Sequence, residues 1–498
     1  MLSARSIGPL LLACAACSSP ADVADGGDAS PDAIASDAGD AGDGGPTQAE
    51  QAEFAQLLGD TQGFLSQSGS PGASIAIVLH GKLAFASGVG LRNVAKNQPV
   101  TTSTLFRVAS MSKMVVAATA MTLVEEGKLD LGAPITTYVP WFHLASGYDA
   151  TQITTSLLLS HASGFPCDTI PQCGATSSGT RESFFTANPQ PLWAPPGAIY
   201  DYSNTGFTLA ASVVEAAAGT GDGTYETLAH DRVFVPTGMT TATFDAQTVA
   251  SADHATGYDL DGNGKVVGTE EPNQLDCPLL NPPGGIEATA TDYAHFAEML
   301  LASGGATLKP SSVQAMESPH ANMHTFASQE YGYGLVHQFA PYADHDSIWH
   351  DGSLPGFLSE FWVIPDDGFA VIALVNARGG DDVPDEIVGD ALGLFIPENR
   401  PGVTLTTPSS TWSKYEGTYD DSLGTLGAGL SVTLVTDAGP AKLVVDAPAA
   451  TPAPVSGAMT QAAIDTWVMP DGTGATFFPA ADGGVGYFVT RRGVGLRE

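Results

Sequence analysis

Basic side chains are scarce in this chain: 18 Lys and Arg stand against 54 Asp and Glu in 498 residues, a formal net charge of −36. A field of that sign repels phosphate backbones and excludes nucleic acid as a partner. Cysteine is also scarce, at five residues. Cys14 and Cys17 fall in the N-terminal apolar segment, and no His or Cys accompanies Cys167, Cys173 or Cys277 at metal-ligand spacing, so no metal and no cofactor is expected. The apolar run Ile7 to Ala16, behind Arg5, is too short to span a bilayer and reads as an export signal. Residues 18–50 hold no Lys or Arg, and their large aliphatic side chains are Val23 and Ile34 alone. Such a stretch cannot bury enough apolar surface to offset the entropy of ordering, and its spaced acidic groups extend it, so it reads as a disordered acidic Ala/Gly/Asp linker.

Small residues just before a cysteine, Ala15-Ala16-Cys17, resemble the lipobox of bacterial lipoproteins, in which the cysteine is lipidated. Leu11-Leu12-Ala13-Cys14 is a second frame, and an ordinary signal peptide cut near Ala16 is the plain alternative. Ser18 after Cys17 resembles the outer-membrane class of such proteins. The expectation is an exported, lipid-anchored envelope protein whose membrane contact is that anchor alone.

What the chain does have is chemistry at short spacing. Phe106-Arg-Val-Ala-Ser110-Met-Ser-Lys113 places Ser and Lys three apart at the start of an apolar helix. Residues at that spacing share a helix face, and a helix N-terminus favours developing negative charge. A serine becomes a nucleophile when a neighbouring base takes its proton. Tyr202-Ser203-Asn204 follows Pro195-Pro196-Gly197, and His350-Asp351-Gly352 precedes the strand-like run Phe361 to Ile364. A Ser-x-x-Lys pair by itself recurs by chance in many helices. The three elements in this order carry the reading.

With Leu158-Leu-Ser-His161-Ala-Ser-Gly164, Pro236-Thr-Gly-Met239, Gly284-Gly285-Ile-Glu-Ala-Thr289 with Asp292, and Tyr333-Gly334, they make the chain resemble serine hydrolases related to class C β-lactamases, DD-peptidases and family VIII-type esterases, over roughly residues 51–400. The resemblance implies Ser110 as nucleophile, Lys113 as its proton partner, Tyr202 as general base and Asn204 orienting the substrate amide. The oxyanion would sit between the backbone N–H groups of Ser110 and Ser353, next to Gly352. His350 would tune Tyr202 and help position the leaving group. In the class C enzymes the third motif carries lysine, a permanent cation; His350 supplies a weaker, pH-dependent one. Asp351 stands where a hydroxyl helps bind the substrate carboxylate. Facing the cleft, Asp351 would repel an anionic substrate; turned by strand alternation to the other face, it would simply be solvated.

The implied fold is α+β: an antiparallel sheet flanked by helices with an all-helical region. Gln48 to Leu65 reads as an amphipathic helix, Ser74 to Leu79 and Lys82 to Ala86 as a hairpin, and Phe361 to Ile364 with Phe369 to Val375 as another. From residue 401 short β segments separated by Gly, Asp and Pro resemble a small barrel-like domain without catalytic residues. The organisation is therefore residues 1–17 signal, 18–50 linker, 51–400 hydrolase and 401–498 β domain.

Cys167 and Cys173 are close enough in sequence for a local disulfide, which leaves Cys277 as a small buried hydrophobe. Asp259 to Glu270 matches a calcium-loop pattern, but its flanks do not read as helices, and a hairpin turn explains it better. His161 is expected to make structural hydrogen bonds near the site. The function expected is hydrolysis of a small ester or amide, such as a D-amino-acid peptide or short acyl ester, through an acyl-enzyme. The alternatives are a true β-lactamase and a noncatalytic lipoprotein that binds peptidoglycan fragments.

Overall fold

The computed structural model describes residues 46–497. Excepted are 146, 167–178, 271–276, 324–328, 343–344, 380–381, 397–408, 422–426, 437–440, 451–453, 464–465, 470–473, 480–484 and 491–492. Cys14, Cys17, Cys167, Cys173 and the linker up to residue 45 lie outside the described residues.

The chain enters through helix Gln48–Ser68, whose start is set by a reciprocal cap: Thr47 accepts from the Glu50 N–H while the Glu50 carboxylate accepts from the Thr47 N–H. Phe54, Leu57 and Leu65 on its inner face are buried. Strands Gly72–Leu79 and Lys82–Asn93 follow as a hairpin through His80 and Gly81, at φ 54° and 73°. Positive φ at both turn residues is the geometry whose twist matches a two-residue hairpin, and glycine supplies it without strain.

The sheet these strands join has nine strands. From one edge to the other they are Gln98–Pro99, Lys82–Asn93, Gly72–Leu79, Phe369–Val375, Phe357–Ile364, His345–Leu354, Val336–Tyr342, Gln329–Tyr331 and Ala321–Asn322, each antiparallel to its neighbour. Its central strands are apolar without alternation: every residue of Phe369–Val375 and of Phe357–Ile364 is buried. A strand covered on both faces reads that way. Helices Gln48–Ser68 and Val383–Phe395 pack on each other and on the sheet. Helix Ser112–Glu125, buried nearly all round, packs against helix Asn204–Ala218 in the helical region inserted between the first and last strands of the sheet.

The C-terminal region forms a separate sheet of nine strands with its own core, including Tyr415, Tyr419, Leu430, Val445, Trp467 and Phe477. Its edge strands, Val455–Ala458 and Thr460–Ala463, are separated in sequence by Met459 alone. The sheet therefore curls round on itself, which gives the barrel-like character expected of it.

Candidate active site

Ser110 sits in a single tight turn, Ala109–Met111, that runs straight into helix Ser112–Glu125. Ala109, just before it, has φ 49°. A non-glycine residue there costs on the order of 1–3 kcal/mol and persists when its surroundings over-determine it. They do: Ser359 Oγ donates to Val108 O at 2.9 Å, and Val108 N–H donates to Ile286 O at 3.1 Å. Gly352 closes the other side, since a Cβ there would lie 2.4 Å from Val108 O and 3.0 Å from Ala109 Cβ. Only glycine lets strand His345–Leu354 run this close to the turn that carries Ser110. Ser353 is the next residue along that strand.

Lys113 is fully buried, and its Nζ donates to Ser110 Oγ at 3.0 Å, Asn204 Oδ1 at 2.7 Å and Pro283 O at 2.9 Å. The same amine lies 4.7 Å from the Tyr202 ring centre. An ammonium has three N–H groups, and these oxygens offset the cost of burying it.

The second motif is presented by a histidine. His161, with φ 57°, takes the Asp201 N–H on its backbone oxygen at 2.8 Å and the Ser203 N–H on Nδ1 at 2.9 Å. Ser203 caps helix Asn204–Ala218 by accepting from the Gly206 N–H. Residues on either side of Tyr202 are thus tied to His161, Asp201 to its backbone and Ser203 to its ring, which packs 4.3 Å from the Tyr202 ring. Burial, with the Lys113 charge added, holds the His161 imidazole well below its ordinary pKa, so it stays neutral and its Nδ1 accepts.

The third motif departs from expectation in two ways. His350 is buried, and its pKa is pushed down to about 3, mainly by desolvation and then by Lys113. It is neutral at physiological pH and supplies no cation. Its Nδ1 lies 2.6 Å from Asp351 O, which can only accept, so Nδ1 carries the proton and Nε2 accepts from the Tyr331 hydroxyl at 2.8 Å. Its ring centre is 6.4 Å from that of Tyr202. The pH-dependent charge expected of it is therefore absent, and its close polar partner is Tyr331.

Asp351 is the second correction. The pleat that turns His350 and Gly352 toward the nucleophile turns Asp351 to the opposite face, opposite Glu360 in register. It neither faces the cleft nor is simply solvated. Burial pushes its carboxyl up to about 6, and Asp385 adds to the shift. Glu360 is raised well above the ordinary range by burial and by Asp385, and Asp382 is pushed up to about 8 by burial and the same neighbour. These groups form a cluster of carboxyls raised above the ordinary carboxylate range, against the start of helix Val383–Phe395. The 3.8 Å approach of Asp351 Oδ1 to His350 Nδ1 is no ion pair, because the imidazole is neutral.

Sequence reasoning missed Tyr331, the Pro283 carbonyl and the bonding of Cys277. Cys277 is in a disulfide, and the other four cysteines lie outside the described residues. It is buried as expected, but it is bonded and not simply a small hydrophobe. The Asp259 to Glu270 stretch is the anticipated hairpin, Gly257–Leu260 paired with Val266–Glu270. Asp259 is taken up by Arg378 at 3.2 Å and the Gly356 N–H at 3.1 Å. Among the described residues no group of three or more His, Cys, Asp or Glu is placed to hold a metal, and no helix is long and apolar enough to cross a membrane.

Residues 51–394 match the Beta-lactamase family model. Protein flp of Staphylococcus aureus is 25% identical over 309 residues, 61% of this chain and 59% of its own length. The chain thus spans under two thirds of that relative. Penicillin-binding protein 4 of Amycolatopsis lactamdurans is 28% identical over 349 residues, 66% of this chain and 87% of the relative. Among solved structures, D-amino acid amidase from Ochrobactrum anthropi SV3 superposes with a TM-score of 0.58 at 22% identity, covering 69% of this chain and 98% of the amidase. That likeness shows the fold.

Proposed function

Because the chain belongs to the Beta-lactamase family of serine hydrolases, we propose that it hydrolyses small uncharged esters or amides, D-amino-acid derivatives among them, through an acyl-enzyme on Ser110. The observation that carries this is the Lys113 amine, 3.0 Å from Ser110 Oγ and 2.7 Å from Asn204 Oδ1.

Lys113 lowers the cost of the Ser110 alkoxide, and Tyr202, acting as the phenolate that the neighbouring ammonium favours, takes the proton. Ser110 Oγ attacks the carbonyl carbon while the oxyanion is held by the backbone N–H groups of Ser110 and Ser353. Collapse breaks the bond to the leaving group, which receives the proton from Tyr202. Water, giving its proton to Tyr202, then attacks the acyl carbon; the bond to Ser110 Oγ breaks, Oγ takes the proton back from Tyr202 and the carboxylic acid leaves. A neutral His350 and an Asp351 turned away leave no third-motif charge for a β-lactam carboxylate, which supports uncharged substrates over penicillins. The similarity to a penicillin-binding protein and to a D-amino acid amidase supports the D-amino-acid class. We place the enzyme at the cell envelope on a Cys17 lipid, a position tested by loss of palmitate labelling in Cys17→Ser.

The deciding experiment is incubation with a fluorophosphonate followed by peptide mass spectrometry. An adduct on Ser110, absent when Lys113 is replaced by Ala, is expected; a protein that stays unlabelled is a binding module.

A further inference from the structure

Two histidines support the two walls of the cleft, and one buried side chain touches both. Tyr331, the last residue of strand Gln329–Tyr331, is 1% exposed. Its hydroxyl lies 2.8 Å from His350 Nε2, and its ring centre lies 4.5 Å from that of His161. His161 in turn receives the Ser203 N–H between Tyr202 and Asn204.

We propose that Tyr331 is a positioning residue for the acyl-transfer site, donating to His350 Nε2 to lock that ring as its Nδ1–H tautomer while its own ring braces His161 behind the Tyr202 corner. This rests on the hydrolase reading above. The direction of the hydrogen bond follows from the chain of partners. Asp351 O accepts, so Nδ1 is the protonated nitrogen and Nε2 offers a lone pair. The tyrosine hydroxyl is kept protonated by burial, which raises its pKa well above the ordinary value. A donor is what Nε2 needs, and Tyr331 is one.

The alternative ring states are disfavoured by the same surroundings. Protonating Nε2 would set a second buried cation near Lys113, and the other tautomer would leave Nδ1 with a lone pair against a carbonyl oxygen. Without the hydroxyl, Nε2 is a buried acceptor with nothing donating to it from Tyr331, and the ring loses its reason to hold one orientation beside Gly352 and the nucleophile turn. Sequence position does not betray this role, since Tyr331 lies 19 residues from His350 and two strands away in the sheet.

The test uses the full chain with 15N-labelled histidine, assigned with His350→Gln, and the variant Tyr331→Phe, which keeps the ring and its contact with His161. Wild-type His350 should show the neutral Nδ1–H tautomer at pH 7, and Tyr331→Phe should shift it toward a mixture. The variant should lose about tenfold in kcat on a short p-nitrophenyl ester with KM little changed, the worth of one buried hydrogen bond. In the His350→Gln background the same change should cost less than about twofold, because it acts through the imidazole. An Nε2–H tautomer or an imidazolium in the wild type would overturn the assignment, even if Tyr331→Phe failed to fold. Losses that simply multiply in the two backgrounds would overturn it as well. A wild type inert toward every ester, yet showing the Nδ1–H tautomer, would sink the hydrolase reading and leave the Tyr331 to His350 bond standing.

Discussion

The two faces of the paired strands His345–Leu354 and Phe357–Ile364 carry opposite solutions to burying polar groups. On the front, His350, Gly352 and Ser359 meet the nucleophile turn, and each polar atom there has a defined partner: Ser359 holds Val108 O, while Tyr331 and Asp351 O hold the His350 ring. On the back, Asp351 and Glu360 are paired in register beside the carboxyls of Asp382 and Asp385, and burial raises all four above the ordinary carboxylate range. Adjacent residues of one strand thus belong to different chemistry. Front-face changes should alter turnover, and back-face changes should alter the pH dependence of stability.

The largest effect expected on the front face is that of Ser110→Ala, which should abolish hydrolysis of short p-nitrophenyl esters, by at least about 10^4-fold, with an unchanged circular dichroism spectrum. Residual activity near wild type would mean another nucleophile. Next is Gly352→Val, whose side chain would be forced against Val108 O and Ala109. Overpacking of this kind costs about 1–3 kcal/mol of stability, read by denaturant midpoint, and a displaced turn should reduce turnover by about a hundredfold. Stability loss without loss of turnover would separate the strand from the site.

On the back face Asp382→Asn should leave turnover alone and change stability with pH. Its folded pKa, about 8, is raised above the ordinary carboxylate value. Between about pH 4 and pH 8 the folded state therefore holds a proton the unfolded state has released, and stability falls as pH rises through that window. The amide removes this slope, so the variant should match wild type near pH 4 and exceed it by up to about 5 kcal/mol at pH 8, measured by denaturation at both pH values. A difference that does not change with pH would show that Asp382 does not hold a proton there.

The smallest expected effect sharpens the comparison most. Asp351→Thr alone should leave the cephalosporin-to-ester ratio of kcat/KM within about twofold of wild type, because Asp351 is on the far face. Adding His350→Lys introduces a cation on the near face, and a shift of about tenfold in that ratio should then come from this change alone. If Asp351→Thr shifts the ratio by itself, the carboxyl does reach the cleft.

Much of the site was readable in the chain because acyl transfer needs particular groups at local spacing. Ser110 and Lys113 share a helix face by their separation alone, and both hairpins announced themselves by apolar runs broken at His80-Gly81 and Pro365 to Gly368. The partners the chain concealed are distant in sequence or carry no side-chain signature. Pro283 contributes a backbone oxygen, which any residue has. Tyr331 is one aromatic among many until the sheet brings it to His350. Cys277 gave no local cue to its bond.

Residue type and order were enough to determine the family and to single out Ser110, Lys113 and Tyr202 as the candidate acyl-transfer residues, because these rest on intrinsic chemistry and short-range geometry. Charge state and facing were decided by the tertiary structure. Histidine titrates near neutrality in water, and burial beside Lys113 makes His350 neutral. An aspartate next to it is equally free to face cleft or core until neighbouring strands set the pleat and cover it. Desolvation depends on what surrounds a group in three dimensions, and a linear sequence contains no such surroundings.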